Sequence, residues 1–398
     1  MSTFAFTPSR EAALQRLAAF APNAGRAYAE RRNADTGPRQ RSNVSQLSPY
    51  LRHRMITERE VVASVVDVHG LAKAEKFVQE VLWRTYWKGW LELRPAIWNR
   101  YLAQLDHDRD TSVDLALLAS AESGTTGIDG FDHWARELTD TGFLHNHARM
   151  WFASIWIFTL QLPWTLGADF FLRHLLDADP ASNTLSWRWV AGLQTVGKTY
   201  LATSSNIERY TEGRFSPKNL ATVAVPLVDA PNSVPSALAK LDDPEPDLPA
   251  LLLVTPEDFH PESLFAVDPA IGSALVLSQR GYGVEQSRAF VSAAADDAAA
   301  RIRTHYRCPV ETIDTLDATD LLSAAAAANV RKIVTPATPV GPLADALRTA
   351  TPILAQAGIT VVQKRRSWDT RFWPHATKGF FPFKERIPAL LREEGLPV

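Results

Sequence analysis

Up to about residue 220 the apolar positions of the chain recur at helical spacing, in residues 10–20 (REAALQRLAAF) and in a long amphipathic run from Ala72 to Leu93. Thr57, followed three residues later by Glu60, predicts a capped helix start, because hydroxyl and carboxylate can each satisfy a free backbone N–H. Strand-like alternation is scarce in this part. Beyond about residue 249 the texture changes: the short apolar runs ALLLVTP at 250–256, SALVLSQ at 273–279, VRKIVTPAT at 330–338 and GITVVQK at 358–364 alternate with alanine-rich helical stretches. Buried strands separated by helices predict a parallel, doubly wound sheet. Residues 225–249, rich in Pro, Asp, Ala and Ser, have the composition of a linker that can wrap over a surface. The expected division is a helical domain at 1–222, a linker at 223–248 and an α/β domain at 249–398.

A chain of 398 residues, 46% hydrophobic, can build two or three domains with proper cores. Its single cysteine, Cys308, rules out a disulfide framework and any cysteine-ligated cluster, so a reducing, cytoplasmic setting is expected. The N-terminus MSTFAFTPSREAALQRL lacks a basic stretch followed by a long apolar core, and no apolar run approaches membrane-spanning length, so neither targeting nor a membrane partner is expected. A net charge of −2 argues against nonspecific coating of nucleic acid, though not against a local basic patch. Tryptophan is unevenly spread, with ten of the 12 before residue 190, which makes the first half the unusual one.

Three segments of that half carry candidate chemistry. In LDADPASNTLSWRWVAG (176–192), Asp179 before Pro180 predicts a helix start; Asn183 and Trp187 then share a face able to bracket one ligand, with Trp189 pointing roughly oppositely. In the helix from Ala72 to Leu93, Glu80, Trp83, Arg84 and Trp87 fall on one face. Charges among indoles are costly to bury unpaired, so Glu80 and Arg84 either pair with each other at the surface or meet a polar ligand. In GFLHNHARM (142–150), Asn146, Arg149 and Met150 share a face, and Arg149 is a suitable partner for Asp177, keeping that carboxylate ionised beside a ligand. His145 and His147 suggest metal ligands, but two residues apart on a helix they point in different directions, and no matched carboxylate or cysteine set completes a site.

Residues 192–199, GLQTVGKT, match the P-loop pattern letter for letter. A P-loop needs a buried strand before it and a helix start after it, whereas a tryptophan-bearing helix precedes this stretch and no clear apolar stripe follows. A P-loop ATPase is therefore kept only as a remote alternative. Gly281 and Gly283 lack the third glycine of the dinucleotide fingerprint.

Together these segments resemble the DNA photolyase and cryptochrome family, over nearly all of residues 10–190 and in the family's own order. VSQLSPYL (44–51) is similar to its phosphate-cradling segment, FVQEVLWR (77–84) to its substrate-facing helix, and LDADPASN with WRW to its central flavin motif. The resemblance implies an all-α FAD-binding photolyase-type domain followed by a smaller α/β parallel-sheet domain, antenna-like and Rossmann-like, in swapped order. It implies FAD held by Tyr28, Ser45, Gln46, Leu47 and Ser48, with Arg149, Asp177 and Asp179 around the isoalloxazine and Asn183 facing its N5. Glu80 would hydrogen-bond a lesion base, Trp83 and Trp189 would sandwich it, and Arg84, Asn146 and Met150 would line the pocket. Trp187, Trp164 and, as the best candidate for the third member, Trp98 would relay electrons from the surface.

The implied activity is light-driven splitting of cyclobutane pyrimidine dimers in DNA by a deoxyribodipyrimidine photo-lyase, acting as a monomer; a blue-light photoreceptor without repair is the alternative. An antenna chromophore of unknown identity is possible in the α/β domain. Val44, Ala178, Phe143 and His147 depart from the family's usual Thr, Gly, Trp and Arg, which puts affinity for FAD or DNA in question.

Overall fold

The computed structural model describes residues 6–111, 114–241, 243 and 248–398; linker positions 242 and 244–247 lie outside the described residues, as do residues 1–5. The first part is helical: α1 (Arg10–Phe20), α2 (Arg26–Arg31), α3 (Ser48–Arg52), α4 (Glu58–His69), α5 (Leu71–Glu92), α6 (Ala96–Asp110), α7 (Leu115–Ser123), α8 (Phe131–Thr141), α9 (Asn146–Ser154), α10 (Trp164–His174), α11 (Pro180–Val190) and α12 (Ser204–Tyr210). Local chemistry sets several of these ends. Thr57 and Glu60 form the reciprocal box that starts α4, and Gly70, at φ 71°, ends it and lets α5 begin on a new axis.

The second part alternates strands and helices: β1 (Ala250–Val254), β2 (Ile271–Leu277), α13 (Glu285–Tyr306), β3 (Val310–Ile313), α14 (Ala318–Ala327), β4 (Lys332–Pro336), α15 (Pro342–Gln356) and β5 (Thr360–Lys364), then α16 (Ser367–Phe372), α17 (Phe380–Lys384) and α18 (Ile387–Glu393). All neighbouring strands pair in parallel, in the order β3-β2-β1-β4-β5. The four expected apolar strands are present. β3 is a fifth, at the sheet edge; its sequence, VETI, has no apolar run because it faces solvent along much of its length.

Side-chain alternation divides the sheet between two cores. Leu252, Val254, Ala274 and Val276 pack, with α13 and the C-terminal helices, into one cluster continuous with the helical part. Leu251, Leu253, Leu275 and Ile333 face α14 and α15 in a separate core. Between the halves, residues 227–236 lie along the helical part, with Leu227 N–H on the Ala191 carbonyl and Ser236 N–H on that of Leu93. Arg94, Arg100 and Arg188 hold the same segment through Ser233, Ala230 and Asp229. No helix among the described residues is long and apolar enough to cross a membrane.

Candidate functional site

The loop Leu175–Asp179 and the start of α11 gather most of the candidate residues. Asp179 caps α11, its carboxylate accepting the Ser182 N–H at 2.7 Å, with Pro180 at the first helical position. Arg149, one turn into α9, makes two parallel hydrogen bonds to Asp177, at 3.1 and 2.9 Å. Such a fork fixes both groups in one plane. Burial drives the Asp177 carboxyl up, but Arg149, Arg84 and the Ser48 hydroxyl outweigh it and hold the group below its ordinary range. Ser48 opens α3; before it the chain turns at Gln46, whose φ of 54° is left-handed, and Leu47 is buried. Ser45 and Gln46 are half-buried.

Asp179 is the centre of a second, denser cluster. Lys88 lies 3.6 Å from its carboxylate, Arg84 3.8 Å and Arg52 3.9 Å. Glu257, from the α/β domain, takes two hydrogen bonds from Arg52, at 2.8 and 2.6 Å, and lies 3.5 Å from Lys88. Three cations thus face two carboxylates here. Burial again opposes ionisation of Asp179, and Lys88, Arg52 and Arg84 overcome it, holding its pKa well below the usual range. The Nη1 atom of Arg84 is buried without a hydrogen-bond partner, as are Nε and Nη1 of the fully buried Arg280 close by. Buried cations in surplus call for an anion, and a flavin dinucleotide, with its diphosphate and a ring system that accepts electrons, is of that chemistry.

Glu80 does not pair with Arg84 as its spacing allows. It meets Arg32 at 3.5 Å, from a stretch 48 residues upstream, while Arg84 reaches Asp179. Burial raises the Glu80 carboxyl pKa, partly countered by Arg32, and raises that of the buried Tyr28 hydroxyl, with Glu80 adding to the effect. The Asn183 amide donates to the Ala168 carbonyl at 2.7 Å, tying α11 to α10. Met150 is half-buried and Asn146 exposed.

The aromatic residues separate into roles that spacing alone did not show. Trp187 sits in the helical core, edge-on to Phe171 at 5.1 Å and to Trp156 at 6.2 Å, so it does not bracket a ligand opposite Asn183. Trp164 and Tyr101 are 5.6 Å apart and border a cleft of about 780 Å³ beside Arg188 and the extended segment 223–229. Trp98 lies deeper, 5.3 Å from Tyr101 and only 1% exposed, because Asp345 of α15 covers it and accepts its indole N–H. It is not the surface member of a relay. Phe380 lies flat on Trp83, ring centres 3.7 Å apart, and Tyr200 stacks on the half-buried Trp189 at 5.6 Å, so one face of each ring is already taken.

One further expectation is corrected, and the reading of GLQTVGKT as a false P-loop match agrees with the fold. His145 precedes α9 as its cap instead of lying within it, so its ring stacks beside that of His147, 6.0 Å away, and does not diverge. GLQTVGKT forms a turn after helix α11 with Lys198 exposed; no strand precedes it and α12 starts only at Ser204, so the geometry of a P-loop is missing. Arg52, Lys88, Glu257, Arg280 and Phe380 were not readable as site residues. Only Arg52 had a signal, its place directly after the Ser-Pro-Tyr-Leu segment.

Comparison with known proteins fits this geometry. Residues 77–215 match the family described as the FAD binding domain of DNA photolyase. The deoxyribodipyrimidine photo-lyase of Streptomyces griseus is 39% identical over 153 residues, covering 38% of this chain and 33% of that protein. A deoxyribodipyrimidine photo-lyase of Thermus thermophilus is 34% identical over 212 residues, covering 52% of this chain and 49% of the other. Among solved structures, a bacterial class III photolyase from Agrobacterium tumefaciens is 27% identical, with a TM-score of 0.43, covering 52% of this chain and 43% of that one. The chain thus spans a third to a half of the length of these curated relatives. A helical FAD-binding domain comes first and a parallel α/β sheet second. Over residues 77–215 the chain is thus similar to the FAD-binding domain of DNA photolyases.

Proposed function

We propose that this chain binds FAD against the loop Leu175–Asp179 and uses it for light-driven splitting of cyclobutane pyrimidine dimers in DNA. The observation that carries this is the pairing of a forked Arg149–Asp177 bridge with a buried surplus of cations around Asp179. Ser45, Gln46, Leu47 and Ser48 would hold the phosphates and ribose, and Tyr28 would close that end. Asp177 and Asp179 stay ionised against the flavin ring, and Asn183, anchored to Ala168, presents its amide there. When bound in its reduced form, FAD would supply the electron that opens the cyclobutane ring under illumination.

The remaining residues receive the lesion. Photolyases are among the enzymes that take their target base out of the stack, at a cost of a few kcal/mol that is smallest at a damaged step. Glu80, half-buried beside Arg32, offers the flipped base a carboxyl within a partly shielded pocket. The free faces of Trp83 and Trp189 stack on it, and Arg84, Asn146 and Met150 wall the pocket. Trp187, Trp164 and Tyr101 offer oxidisable rings on the way to the cleft at segment 223–229.

A blue-light photoreceptor without repair is the second proposal. It uses the same flavin residues but needs no base between Trp83 and Trp189, one face of each of which Phe380 and Tyr200 cover. The test is to purify the protein, record its visible spectrum, illuminate it with dimer-containing single-stranded DNA and count dimers with time. Flavin absorbance with dimer loss supports repair, and bound flavin with constant dimers selects the photoreceptor. A colourless protein that takes up no FAD overturns both.

A further inference from the structure

The α/β domain meets the helical domain with the edge where such a sheet takes its ligands. In doubly wound sheets the ligand crevice lies outside the carboxyl ends of the strands, where the strand order reverses. Here the reversal is at β1, and the segment that follows it, Thr255–Asp258, is filled by the helical domain's own side chains. His53 hydrogen-bonds the Pro256 carbonyl at 2.7 Å, Arg52 takes Glu257, and Arg54 lies 3.4 Å from Asp258. The same edge reaches the loop that carries Asp177 and Asp179. Tyr282 donates to the Ala178 carbonyl at 3.3 Å and Arg280 to that of Leu175 at 3.1 Å, while Arg52, held by Glu257, donates to Ala178 at 2.6 Å.

We infer that Glu257 is a positioning residue of the flavin site, supplied by the α/β domain, which sets the electrostatic potential at Asp179 by neutralising Arg52 and Lys88. The inference rests on FAD binding at loop 175–179 as proposed above. Glu257 is the one acid within 4 Å of both Arg52 and Lys88 apart from Asp179 itself among the ion pairs of the described residues. Its loss as a charge leaves three cations facing a single carboxylate in a region shielded from water. Electrostatic effects are stronger there than at a surface, so a bound ring system that gains negative charge on reduction is stabilised in that state. The α/β domain then acts on the flavin through this charge, with its ligand crevice closed by Arg52, His53 and Arg54.

The experiment is redox titration of FAD bound to the full chain, in parallel with thermal unfolding. Glu257→Gln keeps the shape and removes the charge; the bound flavin's midpoint potential is expected to move to more positive values. Glu257→Gln with Lys88→Gln restores the balance, and the potential is expected to return toward that of the parent even if stability falls further. Tyr282→Phe, which loses a hydrogen bond but no charge, is expected to leave the potential where it was. A potential unmoved by Glu257→Gln in a folded, flavin-loaded protein overturns the inference, as does a double variant displaced as far as the single one. If the parent chain takes up no FAD, the proposed function fails first and this inference with it.

Discussion

The two halves of the molecule present opposite charge to each other. The helical half brings Arg52, Arg54 and Lys88 to the contact, and the α/β half answers with Glu257, Asp258 and Asp369. Arg366 of the second half completes the set by forking onto Asp258 at 2.6 and 2.7 Å. The sequence carries a trace of this, since Lys and Arg exceed Asp and Glu up to residue 220 and fall short of them after it. Pairs of this kind, cut off from water, are weak evidence of net stability, because desolvation offsets much of the attraction. What they impose is register: a misdocked half would strand several charges without partners. Loop 175–179 lies at this contact, so the proposed flavin site depends on the two halves being correctly docked.

The comparison breaks most severely if one partner is removed from the contact. Arg52→Ala leaves Glu257 with Lys88 as its remaining ion-pair partner, and a loss of about 3 kcal/mol is expected in denaturant unfolding, at the lower end of the range for breaking a buried pair by removing one side. Arg149→Ala, within the helical half, strands the buried Asp177. Because Arg149 is partly exposed, about 3 kcal/mol is expected, at the lower end of that range, together with loss of FAD on gel filtration.

A test by pH acts on the helical half through His145 and His147, and on the contact through the buried His53, whose pKa burial also lowers. Burial, the largest cause for each, lowers the pKa of His145 and His147 to about 4, so both are neutral in the fold. In the unfolded chain they titrate near their ordinary value of about 6.5. Between these values the unfolded state binds more protons, so stability is lost as pH falls from about 6.5 to about 4, by up to ~1.4 kcal/mol per pH unit for each histidine. Urea midpoints measured across that window are expected to fall, and His147→Gln is expected to flatten the slope by about one proton's share.

Smaller effects sharpen the contrast between packing and charge. A methyl group at Gly167 would press into the Trp187 ring, so Gly167→Ala is expected to cost about 1–3 kcal/mol without altering the interdomain contact. At the far end, the Arg26–Glu30 pair lies in solvent, and Arg26→Ala is expected to leave the unfolding midpoint unchanged.

Helix ends and central strands were legible because their signals are local: the Thr57–Glu60 box, the Asp179–Pro180 start and the apolar runs of β1, β2, β4 and β5. β3 was not, since an exposed edge strand needs no apolar run. The Arg149–Asp177 pair could be read from charge and motif together. The partner of Glu80 could not, because Arg32 comes from a separate helix-linked segment and helical spacing offered Arg84 first. Glu257, Phe380 and Asp345 reach the helical half only through the docking of the second domain, with partners more than 200 residues away. No pattern in a single sequence encodes such distances. The resemblance to a family pointed to residues 176–192 but was silent on these contacts.

The most direct measurement is the flavin content of the purified full chain beside Asp177→Asn, followed by dimer counts on illuminated, damage-bearing single-stranded DNA. Stoichiometric FAD in the parent, its loss in Asp177→Asn and light-dependent disappearance of dimers are the expected result. A parent that remains colourless after incubation with FAD, or an Asp177→Asn variant that binds FAD as tightly as the parent, would contradict the assignment of the site.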